Sequence, residues 1–199
     1  MKELAKYGLI AVAVIAYVMY RGSDDDISYV DDPIDLNAVL DVTVDTLYAY
    51  QEDLDAQDQD SLNADAAFVG FSQALQTSYN NASPALHTAP IGVTPRADAS
   101  LLAYEDSNSN SEMDNEEPAL FMIEIDGERA RIIASSRSGA VNEHHFSGTG
   151  LLTGYLLGSM LNRQRAAGVT SSSLAKKQPI SATQAARARA GSGSHSYGK

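Results

Sequence analysis

The stretch Ala119–Ser135, ALFMIEIDGERARIIAS, constrains the fold more than any other part of the chain. Ala119–Asp126 alternates, with Leu120, Met122 and Glu124 on one face and Phe121, Ile123 and Ile125 on the other, which is the period of a strand. Asp126-Gly127 is a turn pair, and Arg129–Ser135 returns as the partner strand of a hairpin. Glu124 and Glu128 lie near Arg129 and Arg131, a spacing that predicts cross-strand ion pairs. Ser100–Tyr104 reads as a further short strand.

Upstream the period changes. Asp32 as N-cap and Pro33 at the first helical position open a helix. Leu36, Leu40, Val44, Leu47 and Leu54 share its apolar face. Leu40, Val42 and Val44 also alternate with Asp41, Thr43 and Asp45, so a strand stays open there. The pattern outlasts ordinary strand length, which favours the helix. A second helix over Leu62–Tyr79 carries Phe68, Phe71, Leu75 and Tyr79 at helical spacing, as core rather than as a ligand box. Pro84, Pro90 and Pro95 then mark a loop. The expected body, residues 34–140, is α+β, two helices packed on a small antiparallel sheet.

Charge divides the 199 residues into three. Residues 1–21 hold three bases against Glu3. Residues 22–143 hold 25 acids against four arginines, and residues 144–199 hold seven bases and no acid, for a net charge of −12. The acidic body repels nucleic acid and anionic lipid, so nucleic acid is not an expected partner. The absence of cysteine excludes disulfides, thiolate chemistry and iron–sulfur ligation.

Leu4–Tyr20 is an apolar run of 17 residues with Lys6 as its one charge. As a helix it spans about 25 Å, slightly less than the roughly 30 Å hydrocarbon core. It ends in bulky residues and Arg21, without the small residues of a cleavage site, so it reads as an uncleaved transmembrane signal anchor over residues 1–21. A cleaved signal and a buried core helix are the alternatives. Lys2 and Lys6 before the run, and Asp24, Asp25 and Asp26 after it, place the N-terminus in the cytoplasm and the body in the periplasm or outside the cell. Residues 22–33 read as a solvated linker.

Between the strands lies Asp106-Ser-Asn108-Ser-Asn110-Ser111-Glu112-Met-Asp114-Asn-Glu116-Glu117. A calcium loop takes oxygens from positions 1, 3, 5, 7, 9 and 12. Those positions are Asp106, Asn108, Asn110, the Glu112 carbonyl, Asp114 and Glu117. All are oxygen donors, which suit a hard cation, and calcium is the cofactor they point to. Ser111 departs from the pattern at the sixth position, where glycine allows a left-handed turn. The flanks are strands rather than helices. The segment thus resembles the loop of EF-hand and dockerin-like calcium repeats and not their fold. The competing reading is a solvated acidic turn.

Gly150, Gly154 and Gly158 recur every four residues in GLLTGYLLGSM. On a helix over residues 141–165 they form a smooth stripe suited to close packing against the body, a second subunit or, in a second transmembrane span, another helix. Beyond Ala166 the chain is Ala, Ser, Gly, Gln and Thr with scattered bases, a disordered basic tail (166–199) by composition. His144-His145 has no helical i, i+4 partner and reads as a solvated pair. No glycine-rich phosphate loop follows a strand, and no serine sits in a nucleophile context. The segment Leu151–Met160 and the tail ending Ser196-Tyr197-Gly198 resemble the C-terminal part of YgiB-like bacterial envelope proteins, over about 50 residues. The chain departs from that family in lacking cysteine. The resemblance implies an envelope location and a partner enzyme, with no catalytic residue. The expected function is therefore a non-catalytic, membrane-anchored interaction or scaffold protein, with a protein partner or self-association through the Gly-rich helix. The alternative is a calcium-responsive regulatory subunit.

Overall fold

A computed structural model describes residues 34–58, 62–146 and 154–192. The expected membrane anchor and linker, and Gly150, lie outside the described residues. The chain is α+β. Helices α1 (Leu36–Asp55) and α2 (Ala64–Asn80) precede five strands, β1 (Ile91–Pro95), β2 (Leu101–Glu105), β3 (Ala119–Asp126), β4 (Arg131–Ser136) and β5 (Val141–His145). Helices α3 (Tyr155–Ala166), α4 (Ser171–Ala175) and α5 (Ala182–Ser192) follow. The sheet is an antiparallel meander in the order β1-β2-β3-β4-β5.

Asp35 caps α1, its carboxylate accepting from the N–H groups of Asn37 and Ala38. Asn63 does the same for α2 through Asp65 and Ala66. Leu36, Leu40, Val44, Leu47 and Leu54 are all buried, as are Phe68, Phe71, Leu75 and Tyr79. Their two faces meet Phe121, Ile123 and Ile125 of β3 and Ile132 and Ala134 of β4 in one core. Thr43, one of the polar residues in the alternation that left a strand open, sits fully inside. Its hydroxyl donates to the Val39 carbonyl at 2.7 Å and shares a hydrogen bond of 2.7 Å with the Tyr79 hydroxyl. A polar residue is thus accommodated in an apolar face because a helix carbonyl and a buried phenol satisfy it.

The hairpin forms as expected, with Ile125 opposite Ile132 and Asp126 opposite Arg131. Its turn takes residues 127–130, with Ala130 in the left-handed region at φ 49°. Two strands lie where none was expected. The β1 segment follows Pro90 and ends on Pro95, two of the prolines that suggested a loop. Its outward backbone is completed by α2, for Asn80 accepts from the Ile91 N–H at 2.9 Å and donates to its carbonyl at 2.8 Å. Gln76 accepts from the Val93 N–H at 3.2 Å. The β5 segment falls inside the span expected to be a Gly-rich helix. It is held by β4 and by α1, where Asn37 accepts from the Asn142 amide at 2.6 Å.

The C-terminal third also differs from expectation. Helix α3 begins only at Tyr155 and buries Leu156, Leu157, Met160 and Gln164. It packs on α1, α2 and the β3–β4 turn. The Tyr155 hydroxyl donates to the Leu62 carbonyl, and the Gln164 amide donates to the Ile125 carbonyl at 2.8 Å. No described helix is long and apolar enough to cross a membrane. The segment expected to be a disordered tail, described to Ser192, runs as α4, an extended piece and α5, with α4 meeting Arg131 on the sheet face opposite α1 and α2 and Ile180 pairing with Val141 at the sheet edge. Ser and Thr at the helix starts, read as disorder by composition, act as caps, with Thr170 and Ser173 forming a reciprocal box.

Candidate functional site

The acidic residues singled out in the sequence come together in the β2–β3 connection. Glu105 N–H donates to the Pro118 carbonyl and closes the loop, and Asp106 N–H donates to the Pro90 carbonyl at 2.9 Å. Asp106 is buried. One of its carboxylate oxygens accepts from Asn110 N–H and the other from Ser111 N–H, each at 3.0 Å. Ser111 has φ 59°, the left-handed turn that the glycine position of a calcium loop requires, and Ser109 has φ 56°. A residue with a Cβ takes that conformation at a cost of roughly 1 kcal/mol. The Gln76 amide from α2 donates to the Ser111 hydroxyl at 2.9 Å and steadies the turn.

At the other end Glu117 is also buried. It accepts from Ser107 N–H at 3.0 Å and from Asp114 N–H at 3.1 Å, one on each oxygen. Asp114 is exposed. One of its oxygens accepts from the side-chain amides of Asn108 at 2.8 Å and Asn110 at 3.3 Å. Glu112 N–H donates to the Asn110 side chain at 2.7 Å. The six positions therefore share one loop. The carboxylates of Asp106, Asp114 and Glu117 are met by backbone N–H groups and asparagine amides, and among the described residues no three acidic or histidine side chains form a metal cluster.

Tyr104 adjoins the loop and is fully buried, its ring lying across Gly92 of β1 so closely that a Cβ there would overlap it. Its phenol is held above the ordinary tyrosine range, first by burial and then by the negative charges of Asp106, Glu117, Asp114 and Glu112.

The two described glycines of the expected stripe have unlike surroundings. Gly154 lies before α3 as its N-cap, with the Gln51 carboxamide where its Cβ would be. Gln51 is buried, accepts from Leu156 N–H at 3.2 Å and donates to Asp55 at 2.7 Å. An α1 side chain thus caps α3, and Gly154 gives it room. Gly158 lies inside α3 with nothing within 4 Å of where a Cβ would be. The stripe is broken because the helix starts one residue after Gly154.

One cluster was missed at the sequence level. Arg131 is 2% exposed, on the sheet face away from the core. Its guanidinium donates to Asp126 at 3.1 Å, to Glu143, to the Leu174 carbonyl at 2.8 Å and to the Lys177 carbonyl at 3.2 Å. The two carbonyls end or follow α4, so the cation also completes a helix C-terminus. Lys177 pairs with Glu124, and Arg129 donates to the Ser171 carbonyl at 3.2 Å. Burial acts to lower the Arg131 pKa, but hydrogen bonds and charges from Glu143 and Asp126 outweigh it and raise it. Burial likewise acts to raise that of Glu143, and Arg131 with His145 holds it below the usual carboxylate range. The expected partners of Arg131, Glu124 and Glu128, are replaced by Asp126 and Glu143. The available signal was the alternation itself, which puts Glu124, Asp126 and Arg131 on one face of a hairpin whose other face is core.

His144 lies 3.8 Å from Asp41 and His145 3.2 Å from Glu143, so the two rings point to opposite faces of β5 and share no site. No known family, curated protein or solved structure matches this chain.

Proposed function

We propose that this chain is a membrane-tethered interaction module of the bacterial envelope with no catalytic activity of its own. The observation that carries the reading is how charge is arranged on the folded body. Arg129, Arg131, Arg163 and Lys177 are each tied to an acid, namely Asp126, Asp126, Asp65 and Glu124. Helix α1 contains no base, and Asp41, Asp45, Glu52, Asp53 and Asp55 along it are exposed. Like charges at i, i+4 destabilise a helix slightly, so such a surface is better suited to meeting a basic partner than to stabilising α1. The apolar run Leu4–Tyr20 and its flanking charges support an anchor with the body outside the cytoplasm. Capture of partners from detergent-solubilised membranes tests the reading. We expect a co-purifying protein that is lost when Asp41, Asp45 and Glu52 are replaced by Asn, Asn and Gln. Identical recovery with wild type and variant would refute it.

A second reading, a calcium-responsive regulatory subunit, is favoured by one feature of the β2–β3 loop. Ser111 already takes the left-handed turn, with the first-position carboxylate of Asp106 bonded to Asn110 and Ser111 N–H. Asp106, Asn108, Asn110, Glu112, Asp114 and Glu117 would be the residues to hold the ion, which would replace the Asn108 and Asn110 amides as the counter-charge of Asp114. The donor set fits a hard, oxygen-seeking cation. Self-association is a further form of the same scaffold reading, and Gly158 with its open surroundings is the helix position that suits it.

A further inference from the structure

We propose that the outer edge of β5 is a strand-accepting interface, and that the chain's own segment Pro179–Ser181 is its releasable occupant. The proposal deepens the interaction-module reading by naming a surface and the kind of partner it takes, an extended basic peptide segment of another protein.

A sheet edge is a template for another strand, and proteins block it in identifiable ways. The two edges of this sheet are treated differently. At β1 the block is built into the body. Asn80 takes both backbone groups of Ile91, Gln76 takes the Val93 N–H, and Pro95 has no N–H to offer. Both amides stand on α2, a helix fixed in the core. At β5 no described helix does this. Val141 N–H donates to the Ile180 carbonyl and Ile180 N–H to the Val141 carbonyl, each at 2.9 Å. This is one rung of antiparallel pairing contributed by the C-terminal segment. Glu143 and His145 turn their backbone to the same outer side by alternation, and β5 is the last strand of the sheet.

The segment that covers this edge is fastened by polar groups. Its ties are the Arg129, Arg131 and Lys177 contacts, and among its described side chains only Leu174 and Ala185 are buried apolar groups. An open hollow lined by Ile34, Leu36, Val141, Pro179, Ile180 and Gln184 lies beside the rung. Any extended peptide offers the same two backbone bonds that Ile180 gives, so exchange of one occupant for another changes few hydrogen bonds. Charge selects the occupant. Glu124, on the sheet face that the segment crosses, pairs with Lys177, which Lys176 precedes, while Asp126 and Glu143 are paired with Arg131.

The test uses the full chain and a labelled peptide of residues 176–183, KKQPISAT. Ile180→Pro in the protein removes the N–H that pairs with Val141. We expect the peptide to bind this variant about tenfold more tightly than wild type, the scale of one to two backbone hydrogen bonds. The Val141 amide should exchange faster in the variant and be protected again when peptide is added. A peptide that itself carries proline at the Ile180 position should bind about tenfold less tightly, for the same reason. Amide protection in β3 and β4 reports that the variant is folded, and Lys177→Met, which frees the segment from Glu124 instead, provides a second route to release. Equal binding of the peptide to wild type and both variants, or equal binding of the proline peptide, would overturn the proposal. Because the probe is the chain's own sequence, that result is independent of whether a membrane partner is captured through α1.

Discussion

The guanidinium of Arg131 donates to the carbonyl of Leu174 at 2.8 Å, joining a central strand to a helix forty-three residues further on. The same group binds Asp126 and Glu143, so one buried cation holds two carboxylates and the end of α4. Removing one partner of such a cluster leaves buried charge uncompensated, which costs roughly 3–5 kcal/mol. Arg131→Met should lose stability on that scale in urea unfolding followed by circular dichroism. Adding Asp126→Asn to it should recover part of the loss, because one orphaned charge is removed. A loss within 0.5 kcal/mol, the range of surface changes, would show that Arg131 holds nothing.

Gly154 and Gly158 are separated by one helical turn and should respond oppositely to alanine. At Gly154 the added methyl meets the Gln51 carboxamide, and moving that group breaks the bond to Leu156 N–H. Overpacking and a lost cap together predict a loss of about 1–3 kcal/mol. Gly158→Ala meets nothing and gains helix propensity, so stability should rise by up to about 1 kcal/mol. Thermal melting of the two variants decides the point, and equal shifts would contradict this packing.

These elements also show what the sequence could and could not convey. Phe121, Ile123 and Ile125 announce a strand because one face of β3 is core and the other is not, and the apolar faces of α1 and α2 are legible for the same reason. Val141–His145 has no such contrast. All five side chains are at least partly exposed, and its place depends on Asn37 and Asp41 of α1, over a hundred residues away. Ile91–Pro95 was hidden by its prolines, since its outward bonds come from Asn80 and Gln76 on a helix. Residues 169–185 look disordered by composition because contacts of Arg131, Arg129 and Lys177 and one backbone rung, rather than an apolar face, hold them. In the acidic loop the spacing of oxygen donors was legible. That Asp106 and Glu117 each accept two backbone N–H groups was not, since it depends on how the loop turns at Ser109 and Ser111.

Ionisation should limit stability on both sides of neutrality. Glu143 is held below its ordinary range by Arg131 and His145, against the effect of burial. Its contribution is therefore complete above the unfolded carboxylate value and is lost as pH falls through the lower, folded one. Glu143→Gln should flatten the acid limb of a stability–pH curve below about pH 4. The phenols of Tyr79 and Tyr104 are raised, chiefly by burial. They ionise first in the unfolded chain, so stability should fall as pH rises past about 10. Tyr104→Phe should reduce that fall while leaving the acid limb unchanged. A curve that is the same in both variants as in wild type would exclude this assignment.

Calcium is expected to raise the melting temperature of the chain through the β2–β3 loop. A ligand that binds only the folded state adds RT ln(1 + [L]/Kd), about 2.7 kcal/mol at 100 times Kd. The asparagine amides already bonded to Asp114 oppose the ion, which must displace them. Affinity should therefore lie in the weak range of extracellular modules, around 10⁻⁴–10⁻³ M. Asp106 is a poor residue to delete, because its carboxylate also holds Asn110 and Ser111 N–H and its loss would disturb the loop itself. Asp114 is exposed, and its one bonded oxygen contacts only side chains, so Asp114→Asn should leave the fold intact and abolish the shift. Ser111→Gly relieves left-handed strain of roughly 1 kcal/mol that is present with or without the ion, so it should stabilise the ion-free fold and leave the calcium shift in place. Magnesium should do less than calcium, since its strict octahedron uses fewer of the oxygens on offer. A melting temperature unmoved by about 10 mM calcium, or moved equally in Asp114→Asn, would leave the loop as a turn held by its own backbone.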